Sequence, residues 1–153
     1  MNGQDIQYRE VLEAAVRHIG IATYSSGKIR SYLVNKGFPE EIVSQVVAEL
    51  IDRQYIDDRK ASRKVLVSRS GKKQESRDYM RQRLLAAGID EGIAEDIVSS
   101  LPADSDTCLS LFRSLGVDSD TDENRETMIR IASQRGYTYE TASEAYRRWS
   151  EEL

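Results

Sequence analysis

The 153-residue sequence holds one cysteine, one histidine, two prolines and one tryptophan, and these scarcities exclude much before any motif is sought. The single thiol, Cys108, cannot close an internal disulfide, so no disulfide framework substitutes for a core. The single imidazole, His18, has no second histidine or thiol cluster to complete a zinc site. With only two prolines and nine glycines the backbone has few obligatory breaks, and long helical runs are allowed. No window approaches the roughly 18 consecutive apolar residues of a membrane span. The start, MNGQDIQYREVLEAA, has acidic side chains and no apolar h-region, so no signal peptide is expected and the expected location is the cytoplasm. No GxxxxGK[ST] loop, HExxH pair or Ser/His/Asp set is present. The expectation is a non-enzyme with no catalytic residues, no metal and no cofactor.

What the chain does have is helix-forming composition. Charged residues make up 31% against 39% hydrophobic, rich in Glu, Arg, Ala and Leu, which predicts an all-α protein with much exposed surface. The stretch LVNKGFPEEIVSQVVAEL, from Leu33 to Leu50, has relatives at Leu84–Leu101 and Ala132–Trp149, centred on Gly37, Gly88 and Gly136. Four residues before each glycine stand Leu33, Leu84 and Ala132; eight before, Ile29, Met80 and Met128; directly after, Phe38, Ile89 and Tyr137. Two after come Pro39, Asp90 and Thr138, residues favoured at helix starts. Apolar positions then recur five, nine, ten and thirteen after: Ile42, Val46, Val47, Leu50; Ile93, Ile97, Val98, Leu101; Thr141, Ala145, Tyr146, Trp149. That spacing is one helix face, and the reading is helix, left-handed glycine cap, helix.

An upstream helix precedes each pair. Residues 5–19 present Leu12, Ala15, Val16 and Ile19; 58–69 present Ala61, Val65 and Leu66; 105–115 present Cys108, Leu111, Phe112 and Leu115. The period therefore predicts three tandem three-helix repeats, at residues 4–56, 57–103 and 104–153, forming an elongated, curved molecule. Cys108, on an apolar stripe, is expected to be a buried core thiol.

Two acidic stretches invite metal chemistry. DSDTDEN, from Asp118 to Asn124, opens like an EF-hand loop, but its sixth position is Glu123 instead of glycine and its twelfth is Ile129 instead of Glu. It is expected to be a solvated linker with Asp122 near the next helix start. Asp57 and Asp58 point about 100° apart on a helix, too divergent to share a ligand, and are expected to cap.

The formal charge of −4 is unevenly spread. From Arg59 to Arg83 ten basic residues face two acidic ones, giving +8, so the remainder carries −12. Arg59, Lys60, Arg63, Lys64, Arg69, Lys72, Lys73, Arg77 and Arg81 are the expected contact face for a polyanion or an acidic partner. The bland alternative is a solvated face balanced by its acidic flanks.

At these residues the chain resembles the RecX family of regulators of the RecA recombinase. LVNKGF at Leu33–Phe38 and LLAAGI at Leu84–Ile89 are similar to that family's L-x-x-K-G-[FI] turns, QYIDD at Gln54–Asp58 to its G-[YF]-[IL]-D-D junction, and SQRGY at Ser133–Tyr137 to its terminal R-R-G-[FY] turn. The resemblance spans roughly residues 8–150. Two features depart from the pattern. Arg59-Lys60-Ala61-Ser62 stands where the family has x-x-[FY]-A, and the Gly-Pro ahead of the middle repeat's second helix is absent. The resemblance implies a non-enzymatic protein that lies along the RecA–DNA filament and restrains its growth, ATP hydrolysis and strand exchange; a monomer is expected. The basic face would make the contact, including direct contact with DNA. The alternatives are a helical module that binds DNA without RecA, and a scaffold for an unrelated protein.

Overall fold

Capping chemistry sets most of the helix boundaries. In the computed structural model, which describes residues 3–153, those residues form no strand. They form α1 (Gly3–Ile19), α2 (Ser26–Asn35), α3 (Glu40–Asp52), α4 (Asp58–Leu66), a 3-10 turn (Gly71–Lys73), α5 (Arg77–Ala86), α6 (Glu91–Ser100), α7 (Asp104–Ser114), α8 (Asp122–Gln134) and α9 (Tyr139–Glu151). The fold is all-α, three sets of three helices in tandem, as the sequence period predicts.

Gly37, Gly88 and Gly136 adopt φ of +93°, +83° and +91°. Each closes the second helix of its set with the same pair of bonds: Phe38 N to Leu33 O (3.3 Å), Ile89 N to Leu84 O (3.0 Å) and Tyr137 N to Ala132 O (3.1 Å), with the glycine N–H donating to the residue three before it. These are Schellman caps, and the residue after the glycine folds back onto the one four before it. Two residues beyond each glycine Pro39, Asp90 and Thr138 precede the next helix; Asp90 and Thr138 accept the Ile93 and Thr141 amides. A fourth Schellman cap, Tyr55 N to Leu50 O (2.9 Å), ends α3 with Gln54 at φ +64°. Gln54 occupies the place of the glycine in the family's junction motif.

The buried faces differ slightly from the sequence reading. Six residues after each glycine Val43, Ala94 and Ala142 are fully buried, whereas Ile42, Ile93 and Thr141 at five after are only partly so. In α3 and α9 the buried face comprises offsets six, nine, ten and thirteen, whereas in α6 only Ala94 and Val98, at six and ten, are buried and Ile97 and, just past the helix, Leu101 are partly so. In α1 the core residues are Val11, Ala14, Ala15 and Ile19; Leu12 is half-buried and Val16 exposed.

By contact, the chain forms two compact units, one comprising the chain up to Val65 with Leu84–Ala94, the other Leu66–Arg83 with Glu95–Leu153. The middle set of helices is shared between them. The first unit's core is aliphatic, with Val11, Ile29, Leu33, Val43, Val46 and Leu50 fully buried. The second unit's core joins small and aromatic side chains: Ala132, Ala142 and Ala145 beside Phe112, Tyr137, Tyr146 and Trp149. The rings of Tyr146 and Trp149 lie 5.1 Å apart. At position 145 alanine stands where the other copies have Val46 and Ile97, and the neighbouring aromatic side chains supply the volume.

Candidate interaction surface

Helix α4 buries only Asp58, Ala61 and Ser62, and turns Arg59, Lys60, Arg63 and Lys64 outward. Its inner face is small and polar because the first turn is braced by hydrogen bonds. Asp57 is the N-cap, its Oδ1 accepting the Lys60 amide at 3.1 Å, and the Ser62 hydroxyl donates to the Asp58 carbonyl at 2.6 Å. Arg59/Arg63 and Lys60/Lys64 are like-charged i,i+4 pairs, each opposing the isolated helix by about 0.2–0.5 kcal/mol. These four cations belong to the first compact unit.

The other five expected residues belong to the second unit, and three of them are committed to it. Arg77 donates through its side chain to the carbonyls of Leu101 and, at 3.2 Å, Pro102, closing the C-terminal end of α6, while its backbone N–H donates to Asp104 Oδ1 at 2.9 Å. Arg81 pairs with Glu95 at 2.6 Å and with Asp78 at 3.3 Å. Arg69 is half-buried, 3.9 Å from the buried carboxylate of Glu75. That carboxylate is held by both arms of Arg83 at 2.5 and 2.9 Å. Lys72 and Lys73 stand exposed on the 3-10 turn, where the Lys72 carbonyl accepts the Arg135 guanidinium at 2.9 Å. Of the nine expected contact residues the exposed ones are thus Arg59, Lys60, Arg63, Lys64, Lys72 and Lys73.

The sequence reading missed Asp58. It is not a cap of its own helix: its buried carboxylate accepts the Ser26 amide (2.7 Å), the Ser26 hydroxyl (2.5 Å) and the Asp90 amide (2.8 Å). It thereby ties the start of α4 to the N-terminus of α2 and the entrance of α6. The same N-terminus sits on the Gly88 turn, where Gly27 N donates to Gly88 O at 2.8 Å and Ser25 Oγ to Ala87 O at 2.7 Å. The pattern recurs within the second unit: Ser76 N donates to Arg135 O at 3.0 Å beside Gly136, and Asp104 takes the Arg77 amide as Asp58 takes that of Ser26. The second helix of one repeat docks on the glycine turn of the next, with an aspartate from the next first helix as clasp. The paired spacings, Ser25 to Ser76 and Asp58 to Asp104, were the available signal.

The stretch from Asp118 to Asn124 serves as capping and anchoring. Thr121 caps α8 by accepting the Asn124 amide at 3.0 Å, the Asn124 side chain donates back to Ser119, and the Tyr146 hydroxyl donates to Asp120 at 2.6 Å. Among the described residues no three His, Cys, Asp or Glu side chains gather as a metal set. Cys108 is fully buried in α7, and that burial, with Asp104 nearby, pushes its thiol up to about 12. It is a core side chain, as expected. His18 stacks on the Tyr32 ring at 3.6 Å. No described helix is long and apolar enough to cross a membrane.

A family model described as the first three-helix domain of RecX matches residues 12–50. The chain is 26% identical over 94 residues to the regulatory protein RecX of Chlorobium limicola, covering 61% of this chain and 59% of that protein. To that of Prosthecochloris aestuarii it is 29% identical over 92 residues, covering 60% and 61%. These two matches span about three-fifths of the relatives' lengths; a longer one, to the regulatory protein RecX of Chlorobaculum tepidum, is 25% identical over 137 residues and covers 87% of this chain and 84% of that protein. The crystal structure of RecX from Lactobacillus salivarius matches with a TM-score of 0.73 over 96% of this chain and 99% of that one, at 15% identity, a likeness of fold.

Proposed function

The chain belongs to the RecX family, and we propose that it binds the RecA–DNA filament and restrains RecA's ATP hydrolysis, filament extension and strand exchange. It does so without catalysis or cofactor, as a cytoplasmic monomer. The observation that carries the reading is α4: a helix of this family's fold that buries small polar side chains and directs four cations outward. A cationic helix face suits a polyanionic filament, since each phosphate it neutralises releases counterions. Lys72 and Lys73 extend the proposed contact set. Arg69, Arg77 and Arg81 contribute to it less, because their guanidinium groups already serve neighbours in the fold. The repeats at 4–56, 57–103 and 104–153 are proposed as the units of binding, each presenting its own first helix.

RecA ATPase on single-stranded DNA tests this directly. The wild-type protein should lower the rate at stoichiometric ratio, and K60E/R63E/K64E should lose that effect while keeping its helical circular dichroism. A second variant, K72E/K73E, should weaken it. Arg77 is left unsubstituted because its loss would open the end of α6. No effect of the wild-type protein would refute the reading. Tight binding to bare DNA with no preference for the filament would replace it with a DNA-binding module.

A further inference from the structure

Tyr32, half-buried in α2, has a ring whose two faces meet different neighbours. On one face lies the His18 imidazole, 3.6 Å away and within 9° of parallel, and His18 is itself stacked with Tyr24 at 4.9 Å. An imidazole that close fills its side of the ring, so the Lys36 ammonium, 5.1 Å from the ring centroid, stands over the other face. The ladder of three rings holds Tyr32 in a fixed plane, while the cover on its outward face is the end of a flexible, exposed lysine. Beside the ring, within the first compact unit, α2 and the end of α5 border an open groove of about 530 Å³. Lys28, Tyr32 and Asn35 line it from α2 and Leu85 from α5, and Lys28 is the one charged side chain among the described residues of the lining. Lys28 and Lys36 stand one helical turn before and after Tyr32, roughly 12 Å apart along the axis.

We propose that Tyr32 is a stacking platform for one unpaired base of a single-stranded nucleic acid, with Lys28 and Lys36 taking phosphates on either side of it. Stacking of a base on an aromatic ring is stronger than an exposed cation–π contact, so an arriving base displaces the Lys36 ammonium from the ring. The displaced ammonium does not lose its partner, because the same strand brings a phosphate to it. The ring is already oriented by His18, so little freedom is lost when the base docks. In a duplex each base is stacked between its neighbours, and the platform therefore selects single strands. Positive charge along the groove suits the polyanion, and the exposed Asn35 amide lies within the same lining for a base edge. The site goes beyond the filament reading, since it uses none of the α4 cations and needs no RecA; either can fail without the other.

The test is the fluorescence anisotropy of a labelled single-stranded oligonucleotide titrated with the full chain in the absence of RecA. Wild type and Y32F, which keeps the ring, should bind alike, and Y32L should bind about fivefold or more weakly with its log–log salt slope unchanged. K36M should lower that slope by about 0.7, the share of one phosphate on a single strand. Y139L, which removes an exposed tyrosine of the second unit, should bind like wild type. A second measurement needs no variant and so does not depend on Y32L folding. An oligonucleotide carrying iodouracil, photocrosslinked to the wild-type protein and digested with trypsin, should leave its adduct on the peptide Ser31–Lys36. No binding by wild type, equal affinity of Y32L, an equal loss in Y139L, or adducts confined to other peptides would overturn the site.

Discussion

Replacing Gly37, Gly88 and Gly136 by alanine, one at a time, separates the cap from the docking seat. All three have positive φ, so each alanine incurs the left-handed penalty of roughly 1–2 kcal/mol, offset by about 0.4–1 kcal/mol through the stiffer unfolded chain. At Gly37 a Cβ meets nothing within 4 Å, so the net cost is the conformational one, about 1 kcal/mol. At Gly88 the same atom would lie 2.5 Å from Ser25 Oγ and 2.9 Å from the Lys28 amide. The second contact is backbone in the first turn of α2 and cannot swing aside, so the N-terminus of α2 must lift. That strains the Gly27–Gly88 and Ser25–Ala87 hydrogen bonds, each worth about 1 kcal/mol. Gly88→Ala should therefore cost about 3 kcal/mol. At Gly136 the Cβ would meet Ser76 Oγ at 2.5 Å and the Tyr79 ring at 2.5 Å, so a similar loss is expected. Urea unfolding followed by circular dichroism reports both units, and the fluorescence of Trp149, the only tryptophan, reports the second. Equal costs at Gly37 and Gly88 would refute the docking account.

Gln54→Gly should stabilise, because the left-handed strain at φ +64° exceeds the entropy cost of glycine; a gain of about 0.5 kcal/mol, or 1–2 °C in Tm, is expected, and a lower Tm would count against the cap at Gln54. Asp58→Ala strands the Ser26 and Asp90 amides and should cost about 3 kcal/mol in urea unfolding; a change within error would show that the clasp is idle. The Tyr8 and Tyr146 hydroxyls are pushed up to about 12, chiefly by burial and then by their bonds to Glu49 and Asp120. A tyrosine whose folded pKa exceeds its unfolded value of about 10 contributes stability that is complete below pH 10 and lost as pH rises toward 12, so the urea midpoint should fall in that window and fall less steeply in Y8F. Native Cys108 should resist a thiol reagent at pH 8 and react promptly in denaturing urea; rapid native labelling would contradict its burial.

Much of this fold is legible in the sequence because glycine at a left-handed position, an N-cap two residues on and apolar residues at helical spacing are all side-chain signals. They located Gly37, Gly88 and Gly136, and Asp90 and Thr138 as caps. The one-residue displacement of the buried face, from Ile42 to Val43, was not legible. Isoleucine is the better hydrophobe by composition, and only packing shows which of two adjacent apolar residues faces inward. Docking between repeats is the least visible, since Gly27 N to Gly88 O and Ser76 N to Arg135 O are backbone bonds that any residue can make. Only their side-chain companions, Ser25, Asp58 and Asp104, could have marked them. Asp58 looked instead like half of a capping pair, because its distant partners, Ser26 and Asp90, are each 32 residues away.

The basic block shows the same limit from the side of charge. Counting formal charges from Arg59 to Arg83 treats all ten cations alike, yet the fold assigns them two roles. Arg77 and Arg83 satisfy the open end of α6 and the buried Glu75, and Arg81 pairs with the exposed Glu95. Removing Arg83 would leave the buried Glu75 carboxylate without its bidentate partner, so a loss of regulation in such a variant follows from the fold alone. Lys60, Arg63, Lys64, Lys72 and Lys73 are exposed, and their reversal changes the surface field with little change in packing. A charge-reversal experiment therefore bears on function only when confined to the second group, and comparison of K60E/R63E/K64E with R81E distinguishes a contact surface from an internal tie. The first should lose filament regulation at unchanged Tm, whereas the second should lower Tm or leave both unchanged.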